Sequence, residues 1–363
     1  MKKILTTMVI FGFCSYLPHA EAAYHFSNFK GKPPIHVLSS TSKIPIGITP
    51  EQIKKIYNLP KTGGVGTIAI IGAYDDASIE KDLADFSKAF NLPECTTKNG
   101  CLEKHKMGTQ LNTSSSWALE TTLDVEWAHA VAPTAKILLV EAITPSGTNL
   151  MDAVDYAAKR KDVVSISMSW GGKEFPEEVA LDSHFVSASG ASFFASSGDN
   201  GTGASWPASS PNVIGVGGTS LVLNSSHSFK QELAWSGSGG GVSAYEKEPS
   251  YQSTYVIPKA GGMRAIPDVS YNADPSSGFA IVHSGVWRIA GGTSAGAPQW
   301  AAIAALGKGV TNVNIYKDKS STTNSQFFRD IVSGSNGDCR YFCAARSHYD
   351  YVTGLGSPQT VTF

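Results

Sequence analysis

Five short apolar runs in the middle of the chain constrain its fold more than any other feature: TIAIIGA (67–73), KILLVEA (136–142), VVSISMSW (163–170), SFFASSG (192–198) and NVIGVGG (212–218). They are nearly continuous rather than alternating in polarity. Strands built from them have no polar face to turn to water, so they belong in a parallel sheet covered on both sides. Helical patterns over 79–90, 117–131, 149–159 and 176–189 lie between the runs. This alternation predicts one α/β domain, doubly wound around a mainly parallel sheet. Functional groups then belong at the carboxyl ends of the strands. The domain is expected to span 48–363, opening near GITPEQIKKIYNLP, where Thr49 caps a short helix with Pro50 at its first position. The segment 224–263, with its SGSGGG stretch, reads as loop, and no linker marks a second domain.

Residues 1–22 read as a secretory signal peptide: Lys2 and Lys3, an apolar run to Leu17, then the small-x-small Ala20-Glu21-Ala22. The run is too short for a membrane anchor and no later segment qualifies, so the protein is expected to be secreted. Residues 23–47, polar and with prolines at 33, 34 and 45, read as an extended arm or short propeptide remnant. A net charge of -1 gives no case for binding nucleic acid or an anionic membrane. A monomer is expected. Beyond the leader stand Cys95, Cys101, Cys339 and Cys343, an even set that favours disulfides in an exported chain. Their spacing suggests Cys95–Cys101 and Cys339–Cys343, although three connectivities satisfy the sequence. A zinc site is disfavoured, because neither a C-x-x-C nor paired histidines accompany them.

The stretch GGTSAGAPQWAA (291–302) places Ser294 between small residues at the mouth of an apolar helix, the setting of a nucleophile. A serine nucleophile needs a base, usually histidine. The histidines beyond the leader (25, 36, 105, 129, 184, 227, 283 and 348) include no H-G-x-H setting, and only His129 follows a carboxylate-bearing helix. That helix, WALETTLDVEWAHAV, offers a better base. Glu120 and Asp124 are one turn apart and share a face beside the stripe Leu119, Leu123, Trp127 and Val131. A third carboxylate, Asp199, follows an apolar run in FFASSGDNGTG, at a strand's carboxyl end. Kept protonated by burial, it can donate to a developing oxyanion. An alternative reading of each is bland: an exposed acidic pair and a turn aspartate.

Taken together and in this order, ETTLD with AHAVAPTAKI, SISMSWGG, SSGDNG and GGTSAGAP resemble the sedolisins, the serine-carboxyl peptidases, from about Gly47 to Phe363. The resemblance implies a subtilisin-like fold with a sheet of about seven strands and cleavage of peptides or unfolded proteins at acidic pH. It implies that Ser294 is the nucleophile, Glu120 its base, Asp124 the support of Glu120, and Asp199 the oxyanion donor. Ser169, Trp170, Gly171 and Gly172 resemble the strand-end segment that lines the substrate cleft. FRDIVSGSNG and HYDYVTGLGSP resemble the family's calcium-binding end, implying one Ca2+ held by the carboxylates of Asp330 and Asp350 and the carbonyls of Ile331, Arg346 and His348. Oxygen ligands of this kind suit calcium.

Several departures stand out. The family usually has glycine at positions 346 and 348. Some members carry a glutamate after the first strand, linked to the catalytic glutamate through a tryptophan, where this chain has Gly72. A long prodomain is also usual, whereas about 25 residues stand here between leader and domain. Asn200-Gly201-Thr202 is a sequon whose glycan would crowd the oxyanion site, so it is expected to be unused. An acid pH range follows from chemistry as well, since glutamate titrates near ~4.3 and histidine near ~6.5, and a base works best near its own pKa. Two other readings compete: a calcium-stabilised, non-catalytic relic of a peptidase, and a neutral, histidine-dependent subtilisin-type enzyme.

Overall fold

The structure, a computed structural model, describes residues 25–307, 309–317 and 327–361. The signal-peptide reading of 1–22 lies outside the described residues. Chain order gives β1 (His36–Ser42), α1 (Pro50–Ile56), β2 (Thr67–Ala73), α2 (Ile79–Ala89), β3 (Leu102–Lys106), α3 (Ser115–Val131), β4 (Lys136–Ala142), α4 (Gly147–Ala158), β5 (Val163–Met168), β6 (Gly172–Lys173), β7 (Ser192–Ser196), β8 (Ser205–Trp206), β9 (Val213–Leu223), β10 (Phe229–Ala234), β11 (Gly241–Lys247), α5 (Ser250–Tyr255), β12 (Met263–Ile266), β13 (Val269–Asn272), β14 (Phe279–His283), β15 (Val286–Gly291) and α6 (Gly296–Leu306).

The five apolar runs become β2, β4, β5, β7 and β9, the centre of an eight-stranded sheet ordered β10-β9-β7-β5-β2-β4-β3, with β13 also paired to β9. All its pairings are parallel except β10 on β9, so the fold is the subtilisin-like, mainly parallel α/β sheet, one strand larger than expected. Alternation along β2 divides the core. Ile68 and Ile70 join the cluster of Leu123, Trp127 and Trp300 on the α3 and α6 side, while Ala69 and Ile71 join Leu150 and Val154 of α4 on the other. At the domain's opening, Thr49 accepts from Gln52 N–H and Gln52 returns the bond, a capping box ahead of α1.

Two expectations are corrected. The segment 176–189 is not an α-helix but a 3₁₀ helix, Pro176–Phe185. The segment 224–263 is not loop throughout: it holds β10, β11 and α5, and β11 pairs with β12. A small antiparallel sheet, β1-β15-β14, leads directly into the turn that carries Ser294. Among the described residues no helix is long and apolar enough to cross a membrane.

Candidate active site

Ser294 lies in a 3₁₀ turn, Thr293–Ala295, between β15 and α6. The helix behind it is buried along nearly its whole length and packs on β5 and β7. Gly296 makes that approach possible, because a Cβ there would stand 2.6 Å from Val216 Cγ1.

Glu120 and Asp124 project from α3, which is enclosed from Glu120 to Val131. Asp124 Oδ1 accepts a hydrogen bond from Ser169 Oγ at 2.8 Å, and the carbonyl oxygen of Ser294 lies 3.2 Å from that hydroxyl. Neither oxygen of Glu120 meets a donor in good hydrogen-bonding geometry. The Asp124 carboxyl and the Ser294 hydroxyl are nonetheless close enough to act on its charge. Burial pushes Glu120 well above the ordinary carboxylate range, and the Asp124 charge pushes it further. Burial also pushes Asp124 up to about 8, against the Ser169 hydroxyl, which favours its charged form. Two buried carboxyls one turn apart hold their protons jointly.

Asp199 sits beyond the carboxyl end of β7. Its Oδ1 accepts from the Thr293 amide at 2.8 Å and the Thr293 hydroxyl at 2.7 Å. Its Oδ2 is 3.0 Å from His36 Nε2. Burial raises the Asp199 pKa, while His36 and the Thr293 donors hold it down. Gly292, at φ +120, keeps the space beside it open: a Cβ there would lie 2.0 Å from the Pro34 carbonyl oxygen and 2.6 Å from Asp199 Oδ2.

The segment 169–172 divides its work. Ser169 faces Asp124, as above. Trp170 belongs to the core, its Nε1 donating to the Ile71 carbonyl at 3.0 Å and its ring packed near Phe29 and Trp206. Gly171 exposes its peptide edge, and Gly172 opens β6, which pairs with β8. The edge of Gly171 is filled by the chain's own arm. Lys32 N–H donates to Gly171 O at 3.1 Å, and Gly171 N–H donates to Lys32 O at 3.2 Å. Two residues on, Ser294 Oγ donates to Pro34 O at 2.9 Å.

Cys95 pairs with Cys101 and Cys339 with Cys343. His129, although buried, is bonded through Nε2 to Pro93 O at 2.9 Å, and burial lowers its pKa. Asp330 and Asp350 approach one turn: Asp330 Oδ2 accepts from His348 N–H at 2.9 Å and Asp350 Oδ2 from Arg346 N–H at 3.1 Å. His348 keeps a glycine-like φ of +67 at one of the two positions where glycine is usual. Both carboxylates are engaged by backbone N–H groups of that turn, and their oxygens are of the donor type a hard cation takes.

A model of the subtilase family matches residues 107–324. The chain is 32% identical to kumamolisin of Bacillus sp. (strain MN-32), across 88% of this chain and 63% of that protein. It is 28% identical to tripeptidyl-peptidase 1 of Dictyostelium discoideum, across 86% of this chain and 57% of that one. It thus spans about three-fifths of the length of the curated relatives it matches. The solved structure of Pseudomonas sedolisin, a serine-carboxyl proteinase complexed with two molecules of pseudo-iodotyrostatin, superposes with a TM-score of 0.74 at 28% identity, covering 87% of this chain and 96% of that one. With the fold, the site and these likenesses in agreement, the chain belongs to the subtilase family and, within it, to the sedolisins.

Proposed function

We propose that this protein is a secreted, acid-acting serine-carboxyl endopeptidase that cuts peptides or unfolded proteins through an acyl-enzyme. The observation that carries the reading is the convergence of one hydroxyl, Ser294, with three buried carboxyls, Glu120, Asp124 and Asp199. In the proposed reaction Ser294 Oγ attacks the scissile carbonyl and its proton passes to Glu120. Asp124, positioned by Ser169, shares the proton load. Asp199 donates to the oxyanion from Oδ2, because Oδ1 is committed to the two Thr293 donors. Water then releases the acyl group with Glu120 again as base.

Asp199 must be protonated while the Glu120–Asp124 pair retains one negative charge, which supports an acid range. Endopeptidase action, rather than the tripeptidyl-peptidase action named among the relatives, is supported by the length of strand the cleft admits. Five residues, Lys30 to Pro34, lie on the amino-terminal side of the carbonyl at Ser294, and Lys30 bridges Ser146. Calcium would be held by Asp330, Ile331, Arg346, His348 and Asp350, where its role is to tie the 330 and 346–350 segments together.

The deciding experiment is mass spectrometry of products from a denatured protein at several acidic pH values, alongside Ser294→Ala. Acid-dependent internal cleavage that vanishes in the folded variant is expected. Wild-type cleavage by the variant would remove the assignment.

A further inference from the structure

The turn that carries Asp199 is held by main-chain bonds on both sides of that residue. Ahead of it, Gly239 N–H donates to Gly198 O at 2.7 Å. Behind it, Gly201 N–H donates to Gly237 O at 2.9 Å and Thr202 N–H to Asn336 O at 3.2 Å. Gly201 has φ +74, and a Cβ there would stand 2.6 Å from Asn336 O, so the turn lies directly on residue 336. Asp199 and Asn200 are thus suspended between two fixed points. Those points rest on the strip 237–239 and on Asn336.

Asn336 joins the two supports. Its buried side chain donates from Nδ2 to Ser238 O at 2.7 Å, in the middle of the strip. Its Oδ1 meets no donor among the described residues. A buried acceptor without a donor costs folding free energy, so packing alone does not account for an amide here. The backbone of Asn336 is itself fixed in a hairpin. Its N–H donates to Cys343 O at 3.0 Å, Ala345 N–H donates to Gly334 O at 3.0 Å, and Cys339–Cys343 closes the tip. The tip also reaches the turn, with Cys339 Sγ 3.6 Å from Thr202 Oγ1.

We infer that Asn336 is a positioning residue for the oxyanion carboxyl: its main chain fixes the turn behind Asp199, and its amide ties that point to the strip that fixes the turn ahead. The inference rests on the peptidase reading, in which Asp199 supplies the oxyanion hydrogen bond. Asn336 acts through the turn and not on the substrate. A donor serves the transition state only if it already stands where the charge develops, and a displacement of about 1 Å costs on the order of 100-fold in rate. Cutting the Nδ2 bond frees the strip and the turn to move apart.

The test uses the full chain, with steady-state kinetics on a peptide substrate, inhibition by a peptide aldehyde, and thermal melts. Asn336→Ala is expected to lower kcat about 10- to 100-fold with KM unchanged. The aldehyde forms a hemiacetal on Ser294 whose oxygen takes the place of the oxyanion. It should bind Asn336→Ala more weakly by about the factor lost in kcat/KM, while a product peptide binds as to the wild type. In Asn336→Asp the new carboxyl donates to Ser238 O only when protonated. That variant should approach wild-type kcat as pH falls, whereas Asn336→Ala stays behind at every pH. Wild-type kcat in Asn336→Ala, or a kcat loss with aldehyde affinity retained, would overturn the positioning role and leave the peptidase reading standing. If Asn336→Ala does not fold, Asn336→Asp decides alone, and the absence of its recovery in acid would overturn the role. A wild type that cleaves no peptide at any acidic pH would remove both.

Discussion

Ser169 holds Asp124 at 2.8 Å with the same hydroxyl that stands 3.2 Å from the Ser294 carbonyl, so one side chain registers the acid pair on α3 against the Ser294 backbone. Loss of that hydroxyl frees Asp124 to turn and withdraws a donor that favours its charged form. Ser169→Ala is therefore expected to lower kcat about 10- to 100-fold with KM little changed. The pKa of the acid pair seen in the pH–rate profile should move upward, and Ser169→Thr should restore most of both. A kcat defect without a pH displacement would make the residue merely structural.

Removing His36 is expected to widen the pH range. The imidazole lowers the Asp199 pKa. In His36→Ala the carboxyl keeps its proton to higher pH, so the upper limb of the activity profile should shift upward. Rates measured across pH 3 to 7 on an unrelated peptide check this.

The space held open by Gly292 admits no methyl group. A Cβ there would strike both the Pro34 carbonyl oxygen, which lies at Ser294 Oγ, and Asp199. Gly292→Ala is expected to reduce kcat by ~100-fold or more, the scale of losing an oxyanion donor. Paired rate and thermal-melt measurements separate this from loss of fold.

Acid should also stabilise the folded protein. Burial raises Glu178 to about 9 and Glu246 to about 8, each reinforced by a neighbouring carboxyl. Raised carboxyls bind protons more tightly when folded, so their stabilisation is complete below the unfolded pKa and fades as pH climbs through the folded one. Each contributes up to ~1.4 kcal/mol per pH unit in that window. Thermal melts of Ser294→Ala are expected to fall from pH 4.5 to pH 8. Glu246→Gln should flatten the decline.

Calcium removal supplies a further check. With Asp330 and Asp350 as ligands, chelation is expected to lower the melting midpoint by ~5 °C or more. In Asp330→Ala chelation should change nothing. Equal shifts in both would place the ion elsewhere.

Much of the centre of this fold is legible in the chain because β2, β4, β5, β7 and β9 are covered on both faces and had to be written in apolar residues. β3, with the sequence LEKHK, is an edge strand carrying polar side chains, and β13 has four residues; neither bears the signal of an enclosed strand. The candidate site was readable where a short motif fixes both residue and turn, as in GGTSAGAP and SSGDNG. The supporting role of Ser169 was not, because it depends on α3 lying across the end of β5. Nor was the course of the arm. Prolines 33 and 34 mark it as extended, but which edge an extended segment meets is decided by tertiary structure alone.

Trp170 is anchored to the main chain. Its indole donates to the Ile71 carbonyl, next to Gly72, where some sedolisins carry a glutamate. A main-chain acceptor cannot ionise, nor can any point mutation delete it. The tether beneath the floor of the cleft should thus feel the same to the indole in vinegar as in seawater, while the carboxyls above it gain and lose their protons.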